Sequence, residues 1–524
     1  MKAGRLASLA GVIAALFLAA FLLWPLFVIL QRSFGSLAGV TAVLSDPWYQ
    51  GIAGFTLGQA LLSTALTLLV GLPAAILFAR YDFPGKRLLR SAFTIPFVMP
   101  TVVAAMGFLA LVGPRGLLGV NLQGTFLVIL LAHVFYNCAL VIRIVGSFLE
   151  AVAPRLNQAA ATLGASPWRS LWRVTLPLAT PAILAASALV FVLTFTSFGV
   201  ILILAPSFAT LEVEIYRLTS RLLQLEAAAV LVIIQLLVVS VFTWLYTRWQ
   251  AKLATPVTGA SLPAPKAGPR QRLLLAAVLV PVSLLVLAPL LALLAQVFWS
   301  GGGALPDLQA FRQLSEARPS AMFPGAGRVI VNSLFFATGS MLIALFIGTC
   351  FALAVVRAGW RWLDGLSLLP LATSAVTLGF GYLLAFPALA TSPWGLLLAH
   401  ALIGFPFVTR SILPALRGIP RALPQAAASL GATELSIVRK IELPLLLPAL
   451  LTASAFAFAI SLGEFGASLV ITRPEYATIP VAIFDRLGRP GAANYGAALA
   501  LSFLLMLITS LVMLLLERSP RTEI

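Results

Sequence analysis

Charged residues are scarce in this sequence. Aspartate, glutamate, lysine and arginine make up 10% of its 524 residues, and 61% of the residues are hydrophobic. An average soluble domain is about 25% charged. A chain with so few charges could not cover a soluble surface, so most of it must face lipid or other lipid-embedded helices. The composition therefore predicts an integral membrane protein.

Cysteine and histidine are almost absent, with two residues of each. Cys138 and Cys350 both lie inside apolar runs, which indicates buried small apolar side chains rather than a structural disulfide. Two histidines do not make a metal-ligand cluster, so we predict no bound metal.

A phosphate-binding loop is also missing. The nearest string, Pro84-Gly85-Lys86-Arg87, lacks the upstream glycine and the Ser or Thr that follows the lysine in such loops. We also find no nucleophile and base pair that would favour an integral-membrane enzyme. The sequence therefore predicts neither enzymatic activity nor a directly bound cofactor.

Long apolar runs fill most of the chain. A helix needs about 20 apolar residues to cross the hydrocarbon core, and only helices or closed barrels satisfy their backbone groups there. The runs are continuous rather than alternating, so they predict an all-α integral membrane fold with about 12 transmembrane helices. The predicted spans are 8–31, 55–79, 91–113, 124–147, 178–205, 227–247, 272–298, 330–356, 362–388, 394–414, 445–470 and 493–516.

The basic residues lie mostly on one side of these spans. If the N-terminus is cytoplasmic, 24 of the 34 lysines and arginines fall in cytoplasmic segments. This bias follows the positive-inside rule. It predicts that both termini are cytoplasmic and explains the net charge of +18 without a nucleic-acid partner. A basic surface that only aids solubility would show no such sidedness.

The sequence repeats itself at a constant offset. The segment 158–164 recurs as 425–431, and Leu-Leu-Ala-His ends at both His133 and His400. Such matches indicate a tandem duplication of a six-span unit. Because six is even, both copies have the same orientation and can pack around an axis normal to the membrane. The same offset relates Ser197 to Glu464 and Pro177 to Pro444.

The boundary between the copies lies in a segment rich in Pro, Ala and small polar residues. Such a composition is typical of a flexible linker. We therefore predict a first half at 1–250, a cytoplasmic linker at 251–270 and a second half at 271–524.

One cytoplasmic segment of each half, 155–177 and 422–444, has the same spacing. It reads Gln-Ala-Ala, three residues, Gly, nine residues, and then Val-Thr-Leu-Pro or Ile-Glu-Leu-Pro. Gln-Ala-Ala-Ala favours a helix, and the glycine would end that helix or let it turn. Each segment therefore predicts a helix-turn-helix, here named the first elbow and the second elbow. The alternative is an interhelical loop without a partner.

The elbows resemble the EAA loop of binding-protein-dependent ABC importer permeases, which reads Glu-Ala-Ala, three residues, Gly, nine residues, Ile-x-Leu-Pro. The resemblance covers nearly the whole chain and implies two tandem six-helix type I permease units in a bacterial inner membrane. Glutamine replaces the usual glutamate in both elbows, which removes a charge. The ATPase-docking residues that the resemblance implies are Gln158, Ala159, Ala160, Gly164 and Pro177, with Gln425, Ala426, Ala427, Gly431 and Pro444.

The resemblance also implies partners. Two copies of a separate ATP-binding subunit would grip the elbows and use the ATP, and a periplasmic or lipid-anchored solute-binding protein would bind on the outer side. The longest outer segment, 300–327, is too short to form such a receptor within the chain. Closure of the ATP-binding subunits would switch the spans between outward-open and inward-open states.

Polar side chains inside the predicted spans are candidates for lining a translocation path. The alternative for each histidine is a bond to a neighbouring helix and nothing more, which we favour. Glu464 is balanced between the two interpretations, because an unpaired carboxylate in the bundle would be costly. The candidates are His133, Asn137, Ser197, His400 and Glu464.

The wider resemblance is to the fused permeases of the thiamine and ferric-iron branch, and it is greatest to thiamine permeases. Phrases that carry it include Phe83-Pro-Gly-Lys86 and Thr196-Ser-Phe-Gly199. It implies transport of a small solute, with thiamine or its phosphates preferred and ferric iron as the alternative. An ion-coupled secondary transporter is a competing class, in which Glu464 would serve as the ion site. That class leaves the doubled elbow unexplained.

Overall fold

The structure, a computed structural model, consists of helices joined by short connections. It describes residues 5–35, 37–253, 264–299, 305–320, 322–367, 369–420 and 422–517. Within these ranges the only β-type pairing is two isolated bridges. The predicted all-α membrane fold is therefore confirmed.

Nineteen main helices of the described residues follow one another in two matching series. The first half contains α1 (Arg5–Ser33), α2 (Pro47–Arg80), α3 (Lys86–Val98), α4 (Thr101–Val112), α5 (Phe126–Thr162), α6 (Pro167–Phe195), α7 (Gly199–Leu204), α8 (Leu211–Arg217) and α9 (Leu225–Leu253). The second half contains α10 (Pro269–Phe298), α11 (Ala326–Val356), α12 (Arg361–Leu366), α13 (Ala375–Ala385), α14 (Pro393–Gly418), α15 (Ala422–Ser429), α16 (Glu434–Leu462), α17 (Gly466–Ile471), α18 (Ile479–Leu487) and α19 (Ala492–Glu517). Shorter helical segments lie at Leu37–Ser45, Leu218–Leu222, Gln309–Ser315, Leu369–Ala372, Pro387–Ala390 and Pro474–Tyr476.

The third predicted span of each half is broken. Met99 and Pro100 separate α3 from α4, and α4 has only 12 residues, fewer than the ~20 that a span needs. Thr373 and Ser374 precede α13, where the helices on either side of the break are bent by 99°. Pro100 has no N–H to continue a helix, and the Ser374 hydroxyl accepts the N–H of Thr377 as an N-cap. The expected twelve spans are thus corrected to ten span-length helices among the described residues, or eleven if the bent pair counts as one.

The fifth and eleventh predicted spans end earlier than predicted, at matching places. The helix α6 stops at Phe195 and α16 stops at Leu462, and after three residues the short helices α7 and α17 begin. These two breaks contain Ser197 and Glu464, so both candidate path residues lie at helix ends rather than inside continuous spans.

The first helix of each half packs against the other half. The helix α1 contacts α11, and α10 contacts α4. Glycines permit the close approach, because a side chain at Gly11 would meet the Trp360 ring at 2.9 Å and one at Gly107 would lie 2.7 Å from the Pro289 carbonyl oxygen. The two halves are therefore interlocked, although each is a complete repeat in sequence.

Both cysteines lie in apolar clusters that contain helices of both halves. Cys350 belongs to a buried cluster that includes α1 and α11, and Cys138 to one that includes α5 and α10. Both are buried free thiols among apolar neighbours, as the apolar runs around them predicted.

The predicted linker, 251–270, is partly held in place. Its central residues, 254–263, lie outside the described part of the chain. Next to them, the Asp82 N–H donates to the Pro265 carbonyl and the Ala267 N–H donates to the Asp82 carbonyl, both at 3.0 Å. The end of the linker is thus attached to the loop between α2 and α3 before α10 begins at Pro269.

Candidate coupling elbows and translocation path

The first elbow turns at Gly164 by a specific backbone geometry. The Ala165 N–H donates to the Ala160 carbonyl and the Gly164 N–H donates to the Ala161 carbonyl, both at 2.9 Å. This pair of bonds is the Schellman motif, which satisfies the free carbonyls at a helix end. Gly164 has φ = +77°, a left-handed conformation that favours glycine because other residues place Cβ too close to the backbone.

The second elbow repeats this turn. The Ala432 N–H donates to the Ala427 carbonyl and the Gly431 N–H donates to the Ala428 carbonyl, both at 3.0 Å, and Gly431 has φ = +84°. The sequence prediction that each glycine ends the alanine-rich helix is therefore confirmed at the backbone level.

A capped second helix follows each turn. Ser166 accepts the N–H of Arg169, and Thr433 accepts the N–H of Ser436, both at 3.3 Å. The helices then run on without interruption as α6 and α16, which makes the second arm of each elbow part of a span.

A wide π-helical turn precedes the proline of each elbow. The turns are Leu171–Thr175 and Val438–Glu442, and Pro177 and Pro444 follow in the first turn of regular helix. A proline has no backbone N–H to donate. In a π-helical turn the backbone hydrogen bonds join residues five apart instead of four, so the pattern changes next to the residue that lacks a donor. The Leu-Pro signature thus marks the joint between elbow and span.

The two elbows differ in how they leave the preceding span. The helix α5 continues unbroken from the span into the first elbow, whereas α14 ends at Gly418 and α15 begins at Ala422. Pro420 lies in this interruption, and Ala153 occupies the matching position of the first half. The second elbow is therefore a separate short helix, a difference that the spacing alone did not predict.

The two most exposed large apolar side chains of the described residues lie on the elbows. Leu163 and Leu430 are each 88% exposed, the highest value among the large apolar side chains of the described residues. They are related by the offset of the sequence repeat and therefore occupy the same place on the two elbows. Trp168 and Leu435 are also exposed on the second arms. Matched apolar groups in solvent are typical of a surface that another protein covers.

The predicted docking residues lie on these same surfaces. Gln158 and Ala159 are exposed on the last turns of α5, and Gln425 and Ala426 are exposed on α15. The alanines Ala160 and Ala427 are placed at the turns themselves, because their carbonyls close the two glycine turns.

The first-half candidates for a translocation path bond within their own half. His133 is buried, and its Nδ1 lies 2.9 Å from the Ser63 hydroxyl of α2. The Asn137 amide donates to the His133 carbonyl at 2.9 Å, one turn earlier on α5. This pattern agrees with the favoured interpretation, in which the histidine joins neighbouring helices.

The second-half candidates form a larger buried network. His400 lies 2.8 Å from the Ser461 hydroxyl through Nδ1, and 2.9 Å from Ser468 and 3.2 Å from the Glu464 carboxylate through Nε2. Glu464 also accepts the N–H groups of Ala467 and Ser468 at 2.9 Å. The carboxylate thus caps α17 and is fully partnered, which removes the cost of an isolated buried charge.

Two phenylalanines at matching positions meet between the halves. Phe198 and Phe465 directly follow Ser197 and Glu464, and their rings stack with centroids 5.6 Å apart and planes inclined by 29°. Tyr216 packs edge-on against Phe198, and Phe484 packs in the same way against Phe465, each at 5.5 Å. Phe198 and Phe465 are related by the offset of the repeat and Tyr216 and Phe484 by one residue more, so the cluster joins matching segments of the two halves.

A cavity of about 740 Å³ adjoins this aromatic cluster. Tyr216 and Phe484 belong to its wall, and other residues of both halves, including Arg221 and Asp485, complete it. Tyr216 and Phe484 also contact the stacked phenylalanines, so these two residues connect the wall of the cavity to the Phe198–Phe465 pair.

Glu212 is a functional candidate outside the set of path residues named above. It is fully buried on α8, and the Gln235 amide donates to its carboxylate at 2.6 Å. Burial raises the pKa of Glu212 to about 7, against the lowering effect of hydrogen bonds from Ser374 and Gln235. Ser374 lies at the break before α13, so Glu212 joins the first half to the second.

These features define a multi-pass transport subunit of duplicated design, with two exposed elbows and a cavity between its halves. The chain belongs to the family of binding-protein-dependent transport system inner membrane components, whose model matches residues 71–255 and 340–522. The resemblance inferred from the elbows is thereby confirmed. The chain is a transport subunit of the inner membrane rather than a catalyst.

Curated relatives of two kinds are similar to the chain. The thiamine transport system permease protein ThiP of Escherichia coli is 27% identical over 91% of this chain and 90% of its own length. The ThiP of Haemophilus influenzae is 26% identical over 89% and 88%. A putative 2-aminoethylphosphonate transport system permease, PhnV of Salmonella typhimurium, is 34% identical but covers 38% of this chain and 77% of its own length. The first kind matches nearly the whole chain, and the second matches less than half of it.

Proposed function

We propose that this chain is the permease of an ATP-driven importer and that two copies of a separate ATP-binding subunit dock on its elbows. The observation that carries the proposal is the pair of glycine turns at Gly164 and Gly431, each next to a leucine that is 88% exposed. Two similar surfaces related by a pseudo-twofold axis suit two copies of one partner. ATP is then used by the partner, and both termini of this chain are cytoplasmic.

We further propose that a periplasmic or lipid-anchored solute-binding protein docks at the opposite end, where the cavity lies. Both ThiP relatives match about nine-tenths of this chain and of their own length. The PhnV relative matches only 38% of this chain. This difference favours thiamine, or its phosphates, as the solute.

The stacked phenylalanines are suited to close the translocation path. Phe198 is 8% exposed and Phe465 is 3% exposed, and we propose that this buried aromatic pair closes the path beyond the cavity. Apolar constrictions of this kind gate by excluding water. The path residues of the proposal are His133, Asn137, Ser197, His400 and Glu464, of which Ser197 and Glu464 adjoin the stack.

The solute can be tested on the partner that selects it. The solute-binding protein that supplies this permease should bind thiamine tightly and ferric iron weakly when both are titrated by calorimetry. Tight iron binding without thiamine binding would contradict the assignment of the solute, and the alternative of a ferric-iron importer would replace it.

A further inference from the structure

An ion pair joins two helices at the cytoplasmic end of the first half. Arg90 of α3 pairs with Glu150 of α5, and Lys86 lies 3.2 Å from the same carboxylate. The helix α3 leads to the broken third span, and α5 leads to the first elbow. The pair therefore joins the elbow helix to the segment that leads to the break at Met99 and Pro100.

A second ion pair occupies the corresponding place in the second half. Arg417 of α14 binds Asp364 of α12 at 2.7 Å. The helix α12 precedes the bend at Ser374, and α14 leads to the second elbow. The same two elements are thus joined in both halves.

The two pairs have opposite polarity. Glu150 and Arg417 are related by the same sequence offset as the two elbows. Arg90 and Asp364 are also equivalent, because each lies five residues after a glycine with left-handed φ, at +81° for Gly85 and at +77° for position 359. Each also lies six residues before a proline, at positions 96 and 370. In one half the acid is on the elbow helix, and in the other it is on the opposite helix.

Stability alone does not explain such pairs. The side chains of Arg90 and Glu150 are 49% and 28% exposed, and those of Arg417 and Asp364 are 51% and 39% exposed. Exposed ion pairs contribute about 0–1 kcal/mol. In both halves, opposite charges attract the helix before the break to the helix that leads to the elbow. The acidic residue lies on the elbow helix in the first half and on the other helix in the second half.

We propose that the Arg90–Glu150 and Arg417–Asp364 pairs are positioning pairs that transmit elbow movement to the broken third spans, and that this requires opposite charges rather than a particular sign. The inference rests on the proposed docking of ATP-binding subunits. In the first half α5 is continuous from Glu150 to Gln158, a distance of about 12 Å at 1.5 Å per residue. Movement of the docking surface therefore displaces Glu150 directly, and the ion pair carries the displacement to α3.

The second pair allows the sharper test. The tryptophan at position 360 occupies the place of Lys86, so the second pair has no counterpart of the lysine that also approaches Glu150 in the first half. Asp364→Arg and Arg417→Glu each place like charges together, and the double variant recreates the polarity of the first half. The control is Arg87→Asp, which changes a charge on α3 at an exposed side chain without removing either ion pair.

The full complex with its ATP-binding subunits and receptor is reconstituted in vesicles, and solute uptake per ATP hydrolysed is measured. Each single variant should lower this ratio by about fivefold, within the range of coupling mutations. The double variant should recover to within about twofold of the parent, and Arg87→Asp should leave the ratio unchanged.

The contradicting outcomes are distinct. If the parent shows ATP-dependent uptake but the double variant stays as low as the single variants, the positioning role is wrong and the proposed function stands. Single variants that lose folded protein while keeping the parental ratio would show a purely structural role and overturn the inference. If the parent shows no ATP-dependent uptake, the proposed function fails and the inference fails with it.

Discussion

Replacing both Leu163 and Leu430 with glutamate is expected to abolish association with the ATP-binding subunits. The two leucines are the most exposed large apolar side chains in the described part of the chain, and they lie beside the two glycine turns. Burying an unpaired carboxylate at the centre of an apolar contact costs on the order of 2 kcal/mol or more. Each elbow should therefore bind its partner at least about 30-fold more weakly.

The measurement is co-purification of the ATP-binding subunit with the variant permease from detergent-solubilised membranes. The matched control is Leu305→Glu, because Leu305 is 81% exposed in a segment predicted to lie on the outer side. The control should retain the subunit in full. Undiminished co-purification with the double glutamate variant would contradict docking at the elbows.

Replacing both Phe198 and Phe465 with alanine is expected to make the protein leak. In the proposed path, the two stacked rings close the way beyond the cavity of about 740 Å³, and both rings contact residues of its wall. Each aromatic side chain buries roughly 150–250 Å², so the double truncation opens a gap at the pseudo-twofold axis. Water and a small solute can then pass without movement of the elbows.

The leak is measured as efflux of preloaded thiamine from vesicles without ATP, and it should rise by at least about tenfold. The control is the double variant Phe311→Ala and Phe503→Ala, which removes an aromatic pair that lies within the second half. An efflux rate equal to that of the parent, with coupled uptake retained, would show that the path is closed elsewhere.

The elbows were the most predictable part of the molecule. Their geometry is local: the left-handed turn at Gly164 depends on a glycine after an alanine-rich helix, and both are visible in the sequence. The same is true of the caps at Ser166 and Thr433. The exposure of Leu163 was not predicted, because an apolar residue at a helix end is as easily buried against the membrane bundle.

The helix breaks and the partners of the spans were less predictable. The sequence of an apolar helix does not show whether the helix faces lipid or protein. The packing of α1 and α10 on the opposite halves could therefore not be predicted. The break at Pro100 had a signal in the proline itself, which a count of apolar residues ignores. The sequence also pointed to Phe198 and Phe465, because the repeat places both residues beside candidate path residues. Their contact with each other could not be predicted, because it depends on how the two halves assemble.

The partners of Glu464 show the same limit. Its bonds to the N–H groups of Ala467 and Ser468 are local, because they join residues three and four positions apart in the chain. Its contact with His400 joins two helices that are far apart in the chain. The sequence thus identified the carboxylate as costly to bury and could not identify the histidine that accompanies it.

The source of energy tests the central claim most directly. Vesicles containing the permease, its receptor and its solute are compared with and without the ATP-binding subunits, each with internal ATP or with an imposed proton or sodium gradient. Uptake should occur only when both the ATP-binding subunits and ATP are present. Uptake driven by an ion gradient in vesicles that lack those subunits would contradict the account and favour a secondary transporter.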